Sequence, residues 1–203
     1  MNNFYSFHFV LGGVMIPKLC DLIHKSIKNP EPALRQPVFG LEKEFSLGRI
    51  NEEQFFAQAV KLTKIEGSSE ILEEKVFAGL ELSEGMAGIL EELIENHKVE
   101  ILSQYSTELT KKILKKTYLL PKFPEDRIRY TTEMHLPDLE QCLAAKYMCE
   151  GWIQRGESIW VDADPHRTMA FIRAGIDAII FIDSTKLRRE IALRGLLPRL
   201  GGE

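Results

Sequence analysis

Short apolar runs rich in β-branched residues alternate with amphipathic segments over the second half of the chain. The runs are KVEILS, RIRYTT, SIWVDAD and AIIFID, and the segments between them, such as EGMAGILEELIENH, repeat apolar residues every three or four positions. Strands separated by helices of this length indicate βαβ crossovers and therefore a mainly parallel sheet. The pattern predicts strands near 98–103, 127–131, 158–162 and 178–182.

One further strand is predicted at the start of the chain, near 5–11, where SFHFVL runs into Gly12 and Gly13. The segment between 17 and 82 has helical spacing throughout and offers this strand no partner, so the strand joins the same sheet. We therefore expect an α/β fold, a parallel sheet flanked by helices with a small all-helical cap inserted after the first strand. The expected core domain is 1–16 with 83–203, and the expected cap domain is 17–82.

Two local signals mark helix starts. Asn51 followed by Gln54 three residues later predicts a capping box. Asp164 followed by Pro165 is typical of an N-cap and the first helical position. Both signals place a helix immediately after a turn.

Composition excludes some classes of partner. The 203 residues include 26 Lys and Arg and 30 Asp and Glu, a net charge of −4, and the basic residues are scattered. A nucleic-acid binder would concentrate positive charge, so we expect a protein partner or a small soluble ligand and no nucleic acid. No apolar run reaches the roughly 18 residues that a membrane span requires, so no membrane partner is expected.

The three cysteines, Cys20, Cys142 and Cys149, form neither a CxxC pair nor a Cys/His metal pattern. An odd number of widely spaced cysteines indicates reduced, mostly buried thiols and a cytoplasmic protein. The apolar segment 4–16 lacks the basic flank and the small-residue cleavage site of a signal peptide.

The carboxyl ends of parallel strands are where ligands bind in open α/β sheets. In this chain the predicted ends are 10–13, 102–104, 130–136 and 161–164. These four segments are therefore the candidates for chemistry.

The same four segments carry a family resemblance. FVLGGVM at 9–15 resembles the signature FDLGGVL, LSQ at 102–104 is similar to LSN, LPDLEQCL from Leu136 lies where a Lys-Pro pair opens a helix, and VDADPHRTMAFIRAG at 161–175 resembles VDDRPENVEAARALG without a gap. FSLGRINEEQFF at 45–56 is similar to a helix-turn-helix phrase of helical caps. Together they resemble the haloacid dehalogenase-like (HAD) hydrolase superfamily, most closely its sugar-phosphatase-like members with a helical cap.

The resemblance implies a covalent phosphatase mechanism whose groups are missing here. The family's nucleophilic aspartate falls on Val10, and the acid/base aspartate two residues later falls on Gly12, where some members also carry glycine. The lysine that neutralises phosphate charge falls on Leu136. Of the paired carboxylates that hold Mg²⁺, Asp162 is present and its partner is Ala163.

Some groups that the resemblance marks are still present. Ser103, with Gln104 beside it, would hold a phosphate oxygen, although a turn residue that bonds to local backbone explains Ser103 equally well. Asp162 would be a weak metal ligand. His135 and His166 lie in predicted loops, and either could support residual chemistry or simply be solvated.

Two hypotheses follow. The first is a catalytically inactive pseudo-phosphatase that needs no cofactor and binds a protein partner or a small anionic ligand. The alternative is an active phosphohydrolase for small phosphate esters such as sugar phosphates, using substitute groups around Asp162 and Mg²⁺. The sequence predicts no oligomeric state.

Overall fold

The computed structural model describes residues 5–28 and 31–197. It contains five strands, β1 to β5, at Ser6–Val10, Lys98–Ser103, Ile128–Tyr130, Ser158–Asp162 and Asp177–Ile180. The second and fourth begin and end at the predicted residues. The others differ from the prediction by one or two residues at an end.

Nine α-helices lie in the described ranges. They are α1 to α9, at Leu19–Ser26, Arg35–Ser46, Glu52–Thr63, Ser69–Ala78, Met86–Asn96, Thr107–Lys116, Leu139–Cys149, Pro165–Arg173 and Ser184–Leu193. The first four follow one another between β1 and α5, where the sequence predicts the helical insertion. That 17–82 forms a separate cap domain stays a prediction.

The strands form one five-stranded parallel sheet in the order β3-β2-β1-β4-β5. The first strand belongs to this sheet, as predicted, and it pairs with β4 so that Phe9 lies opposite Val161. The next pairing sets Asp162 opposite Ile180 on β5. Because β1 and β4 are parallel neighbours, their carboxyl ends lie side by side.

The contacts within the described residues divide the chain into two compact units. The first unit takes its residues from 1–15, 82–101 and 138–203, and the second from 16–81 and 102–137. In the first unit, Trp160 stacks on Phe171 with ring centroids 4.0 Å apart, and Tyr147 meets both rings edge-on. All three side chains are buried. They form the aromatic part of the core beside β4.

The second unit has its own aromatic core around Phe45, which stacks on Phe55 at 5.1 Å and on Tyr105 at 6.1 Å. The predicted capping box is confirmed: the Asn51 side chain accepts the Gln54 N–H, and the Gln54 side chain accepts the Asn51 N–H. These bonds fix the start of α3 over the aromatic core.

The turn between α2 and α3 requires a glycine. Gly48 has φ +71°, and a Cβ at this position would collide with the backbone carbonyl oxygen of Thr132. Arg49, the next residue, donates from Nη2 to the Pro137 carbonyl oxygen at 2.9 Å. The turn therefore holds the segment that carries Leu136.

None of the helices in the described ranges is both long enough and apolar enough to cross a membrane. The three thiols are free; Cys20 is buried, Cys142 is half-buried and Cys149 is exposed. The expectation of mostly buried thiols therefore holds fully for Cys20 alone.

Candidate functional site

The carboxyl end of β1 is apolar. Val10 is the last residue of the strand and is fully buried, as are Leu11, Val14 and Met15 after it. Gly12 is buried too, and Gly13 takes φ +93°, which lets the chain turn directly beyond the strand. An isopropyl group has no lone pair, so this strand end cannot supply a nucleophile.

The carboxyl end of β4 holds a buried charge. Asp162 is the last residue of the strand and has no solvent exposure. Its Oδ2 accepts from Arg167 Nε at 2.7 Å, and its Oδ1 accepts from Arg167 Nη2 at 2.9 Å and from the Asp164 N–H at 2.9 Å. The pair is bidentate, the geometry in which a guanidinium binds a carboxylate most strongly.

The start of α8 positions Arg167. Asp164 is the N-cap, as predicted, and its Oδ1 accepts the backbone N–H groups of His166 and Arg167 at 2.9 and 3.2 Å. Its Oδ2 lies 3.4 Å from Arg167 Nη1. Burial disfavours the charged guanidinium, but the carboxylates of Asp162, Asp164 and Glu140 outweigh it, and the pKa of Arg167 is raised above its ordinary value.

These residues do not fit a Mg²⁺ ion. Mg²⁺ requires near-octahedral oxygen ligands, whereas both oxygens of Asp162 already accept from Arg167 and Ala163 offers no side-chain donor. Asp164 is occupied as a helix cap, and His166 is exposed. Within 5–28 and 31–197, no three His, Cys, Asp or Glu side chains are grouped to hold a metal ion.

The carboxyl end of β2, in the second unit, holds Ser103, which is fully buried. Its Oγ accepts the Tyr105 N–H at 3.1 Å and lies 2.6 Å from Thr110 Oγ1. The Thr110 hydroxyl donates its own hydrogen to the Ser106 carbonyl oxygen at 2.8 Å, so Ser103 must be the donor in the bond between the two hydroxyls. The hydroxyl hydrogen of Ser103 is therefore donated to Thr110 within the second unit. The neighbouring residue, Gln104, is also buried.

The segment before α7 carries Leu136, which is half-buried, and His135, which is exposed with φ +50°. An isobutyl side chain cannot neutralise phosphate charge. That Ser103 and Gln104 bind phosphate, and that Asp162 binds metal, stay predictions.

Sequence reasoning missed two residues, of which Arg167 is the first. A signal was present, because the phrase VDDRPENVEAARALG carries Asn where this chain has Arg167. Replacing a short amide with a long cation five residues after a buried aspartate predicts an ion pair.

Glu42 is the second, and nothing in the sequence around it indicates its role. Its Oε1 accepts from the Leu19 N–H at 3.0 Å and the Tyr105 hydroxyl at 2.9 Å, and its Oε2 accepts from the Cys20 N–H at 3.1 Å. Lys18, the N-cap of α1, makes no side-chain cap bond, so Glu42 supplies the acceptors instead. Burial is the main cause that raises the pKa values of the Tyr105 hydroxyl and the Cys20 thiol. The nearby Glu42 carboxylate raises both further.

Comparison with protein-family models found no match, and neither did comparison with curated proteins. Solved structures do match. A HAD family enzyme from Bacteroides thetaiotaomicron, in complex with magnesium and inorganic phosphate, is 18% identical with a TM-score of 0.65 over 91% of this chain and 98% of its own. L-2-haloacid dehalogenase from Xanthobacter autotrophicus is 14% identical with a TM-score of 0.63, over 96% of this chain and 85% of its own.

A third structure, a predicted HAD-like family hydrolase from Porphyromonas gingivalis, is 16% identical with a TM-score of 0.66, over 97% of this chain and all of its own. Identities this low establish the fold alone. The TM-scores of 0.63 to 0.66 over most of each chain show that this chain has the HAD fold.

Proposed function

We propose that this chain is a HAD-fold protein without phosphohydrolase activity that acts by binding a protein partner. The observation that carries the proposal is the Arg167 guanidinium, which occupies both oxygens of Asp162. In this interpretation the ion pair with Arg167 engages the one carboxylate, Asp162, that a metal site at this strand end would need. The three free thiols support a cytoplasmic location as part of the same proposal.

The groups that the family resemblance assigns to the nucleophile, the lysine and the phosphate-binding hydroxyl are absent or engaged. Val10 replaces the nucleophile, Leu136 replaces the lysine, and the Ser103 proton is used by Thr110. Removing one such group typically costs orders of magnitude in rate, and groups that act as a unit fail together.

Charge favours a protein partner over a small anion at the β4 end. Asp162 and Asp164 contribute two negative charges there against one positive charge on Arg167. Arg167 donates two hydrogen bonds to Asp162 and its Nη1 lies 3.4 Å from Asp164 Oδ2, so a phosphate anion at this guanidinium would be repelled by two carboxylates.

The alternative remains a Mg²⁺-dependent phosphohydrolase for small esters such as sugar phosphates. It is favoured by one observation, that a structure with the same fold was crystallised with magnesium and inorganic phosphate. For this chain it requires Arg167 to leave a fully buried carboxylate, which breaks two charge-assisted hydrogen bonds.

Phosphate release from an aryl phosphate and a panel of sugar phosphates, measured with and without Mg²⁺, tests the proposal. We expect no release above the protein-free rate. Turnover that depends on Mg²⁺, disappears in Asp162→Asn and persists in the exposed control Asp126→Asn would establish the alternative instead.

Calorimetric titration with Mg²⁺ tests the metal site separately. We expect the natural sequence to bind in the millimolar range or weaker by order of magnitude, because one engaged carboxylate cannot replace the ion's water. The triple variant Val10→Asp, Ala163→Asp, Arg167→Asn restores oxygen donors and should bind at least about tenfold more tightly. Micromolar binding by the natural sequence would contradict the proposal.

A further inference from the structure

A groove of about 610 Å³ lies between α4 and α6 in the second unit. One side, the acidic wall, consists of three glutamates of α4, and the other, the basic wall, consists of three lysines of α6. Phe77 and Tyr118 add apolar surface between and beside them. The lining residues are Glu70, Glu73, Glu74, Phe77, Lys112, Lys115, Lys116 and Tyr118.

One lysine already joins the two walls. Lys112 Nζ lies 2.7 Å from Glu73 Oε1 and 3.0 Å from Glu52 Oε1. The other four charges of the walls are exposed and form no ion pair within the part of the chain that the structure describes. They are Glu70, Glu74, Lys115 and Lys116.

The charges of the groove sum to zero but are separated by sign. Three carboxylates oppose three ammonium groups, so a ligand of a single sign gains on one wall and loses on the other. Polyphosphate, nucleic acid and a uniformly basic peptide are all disfavoured for this reason. The groove fits a surface that carries both signs in the reverse order.

Tyr118 is the second observation. Its side chain is 85% exposed, and its backbone takes φ +60° two residues beyond the end of α6. The Tyr118 N–H donates to the Lys115 carbonyl and the Leu119 N–H to the Leu114 carbonyl, the pattern of a helix end that favours glycine at this position. A strained, exposed tyrosine contributes little to packing within one copy, whereas tyrosine is enriched at protein interfaces.

We propose that this groove is a self-association surface, occupied by a second copy of this chain. A two-fold axis running along the groove sets the acidic wall of each copy against the basic wall of the other. The same rotation brings each Tyr118 ring to the α4 wall of its partner. A second copy carries the required charge pattern by construction, and each contact then occurs twice.

Charge reversal in two complementary variants tests the pairing. Glu70→Lys with Glu74→Lys makes both walls basic, and Lys115→Glu with Lys116→Glu makes both walls acidic. By sedimentation velocity we expect each variant alone to associate at least tenfold more weakly than the natural sequence. An equimolar mixture should recover the association as a heterodimer, because each basic wall then meets an acidic one.

Two further variants complete the experiment. Lys61→Glu with Lys64→Glu alters exposed charge outside the groove and should leave association unchanged. Tyr118→Gly suits the local backbone and should weaken association at least tenfold while the protein stays folded.

The proposal is overturned if the natural sequence stays monomeric up to about 1 mM. It is also overturned if the charge reversals leave association unchanged, or if the mixture fails to restore it. These outcomes are independent of whether the protein hydrolyses phosphate esters.

Discussion

Two buried carboxylates, one in each unit, are satisfied in different ways. Asp162 at the end of β4 is fully buried and is neutralised by the Arg167 cation. Glu42 on α2 is 7% exposed and accepts from neutral donors, among them the Leu19 and Cys20 N–H groups and the Tyr105 hydroxyl.

The comparison shows that burial of an acid is not by itself a sign of catalysis. A buried carboxylate must be paired or hydrogen-bonded, because its desolvation otherwise costs several kcal/mol. Both acids meet this requirement within their own unit. The hydrogen bonds and ion pair within each unit therefore explain how both acids can be buried, although the phosphatase resemblance marks Asp162 and not Glu42.

The largest expected effect comes from removing the cation. Arg167→Met leaves Asp162 buried without its counter-ion and should lower the free energy of unfolding by about 3–5 kcal/mol, measured by urea denaturation. Arg173→Met, at the exposed end of the same helix, should change it by about 0.5 kcal/mol or less. Adding Asp162→Asn to Arg167→Met should recover part of the loss; equal effects of Arg167→Met and Arg173→Met would contradict the role of the pair.

Replacing Glu42 should lower the free energy of unfolding by less than removing the Arg167 cation does. Glu42→Gln turns an amide NH₂ toward backbone N–H groups that need an acceptor, and the expected loss is about 1–3 kcal/mol in the same measurement. Glu44→Gln alters a partly exposed ion pair with Arg49 and should cost about 0.5 kcal/mol or less. If the two variants are equally stable, Glu42 does not cap α1.

The free energy of unfolding at alkaline pH should depend on Cys20 and Tyr105, the two buried groups beside Glu42. Because burial raises the pKa values of Cys20 and Tyr105, the folded chain keeps protons that the unfolded chain releases above about pH 8.5. The folded state then binds more protons, so stability falls as pH rises, by at most about 1.4 kcal/mol per pH unit for each group. Cys20→Ala should flatten this slope in urea denaturation series, and Cys149→Ala, at an exposed thiol, should not.

The smallest expected effect comes from removing one hydrogen-bond donor to Glu42. Tyr105→Phe removes the hydroxyl bond to Glu42 and should cost about 1 kcal/mol. Tyr130→Phe removes a bond of the same kind to the exposed Glu125 and should cost less. Combined with Glu42→Gln, Tyr105→Phe should cost less than the sum of the two single variants, since both act on one contact; simple additivity would contradict the contact.

Most of the sheet could be predicted because strands and helix starts are encoded locally. KVEILS and SIWVD alternate with amphipathic helices, and β2 and β4 begin and end where this pattern predicts. The Asn51 capping box and the Asp164 cap were equally predictable, because each involves residues within three positions of each other.

The candidate site was only partly predictable. The absence of a carboxylate at Val10 and of an amine at Leu136 follows from residue identity and needs no structure. The engagement of Ser103 was an open alternative, because its partner Thr110 is seven residues away and a helix had to form before the two hydroxyls could meet.

The sequence by itself determined the α/β order, the place of β1 in the sheet and the apolar side chains at Val10 and Leu136, since these depend on periodicity and on residue identity. Only the tertiary structure decided what the remaining polar groups do. Arg167 reaches Asp162 because α8 starts directly beyond the end of β4, and Glu42 meets Leu19 and Tyr105 across 23 and 63 residues of chain. Hydrogen bonds and ion pairs depend on ångström-scale positions, and such positions exist only after distant segments have packed.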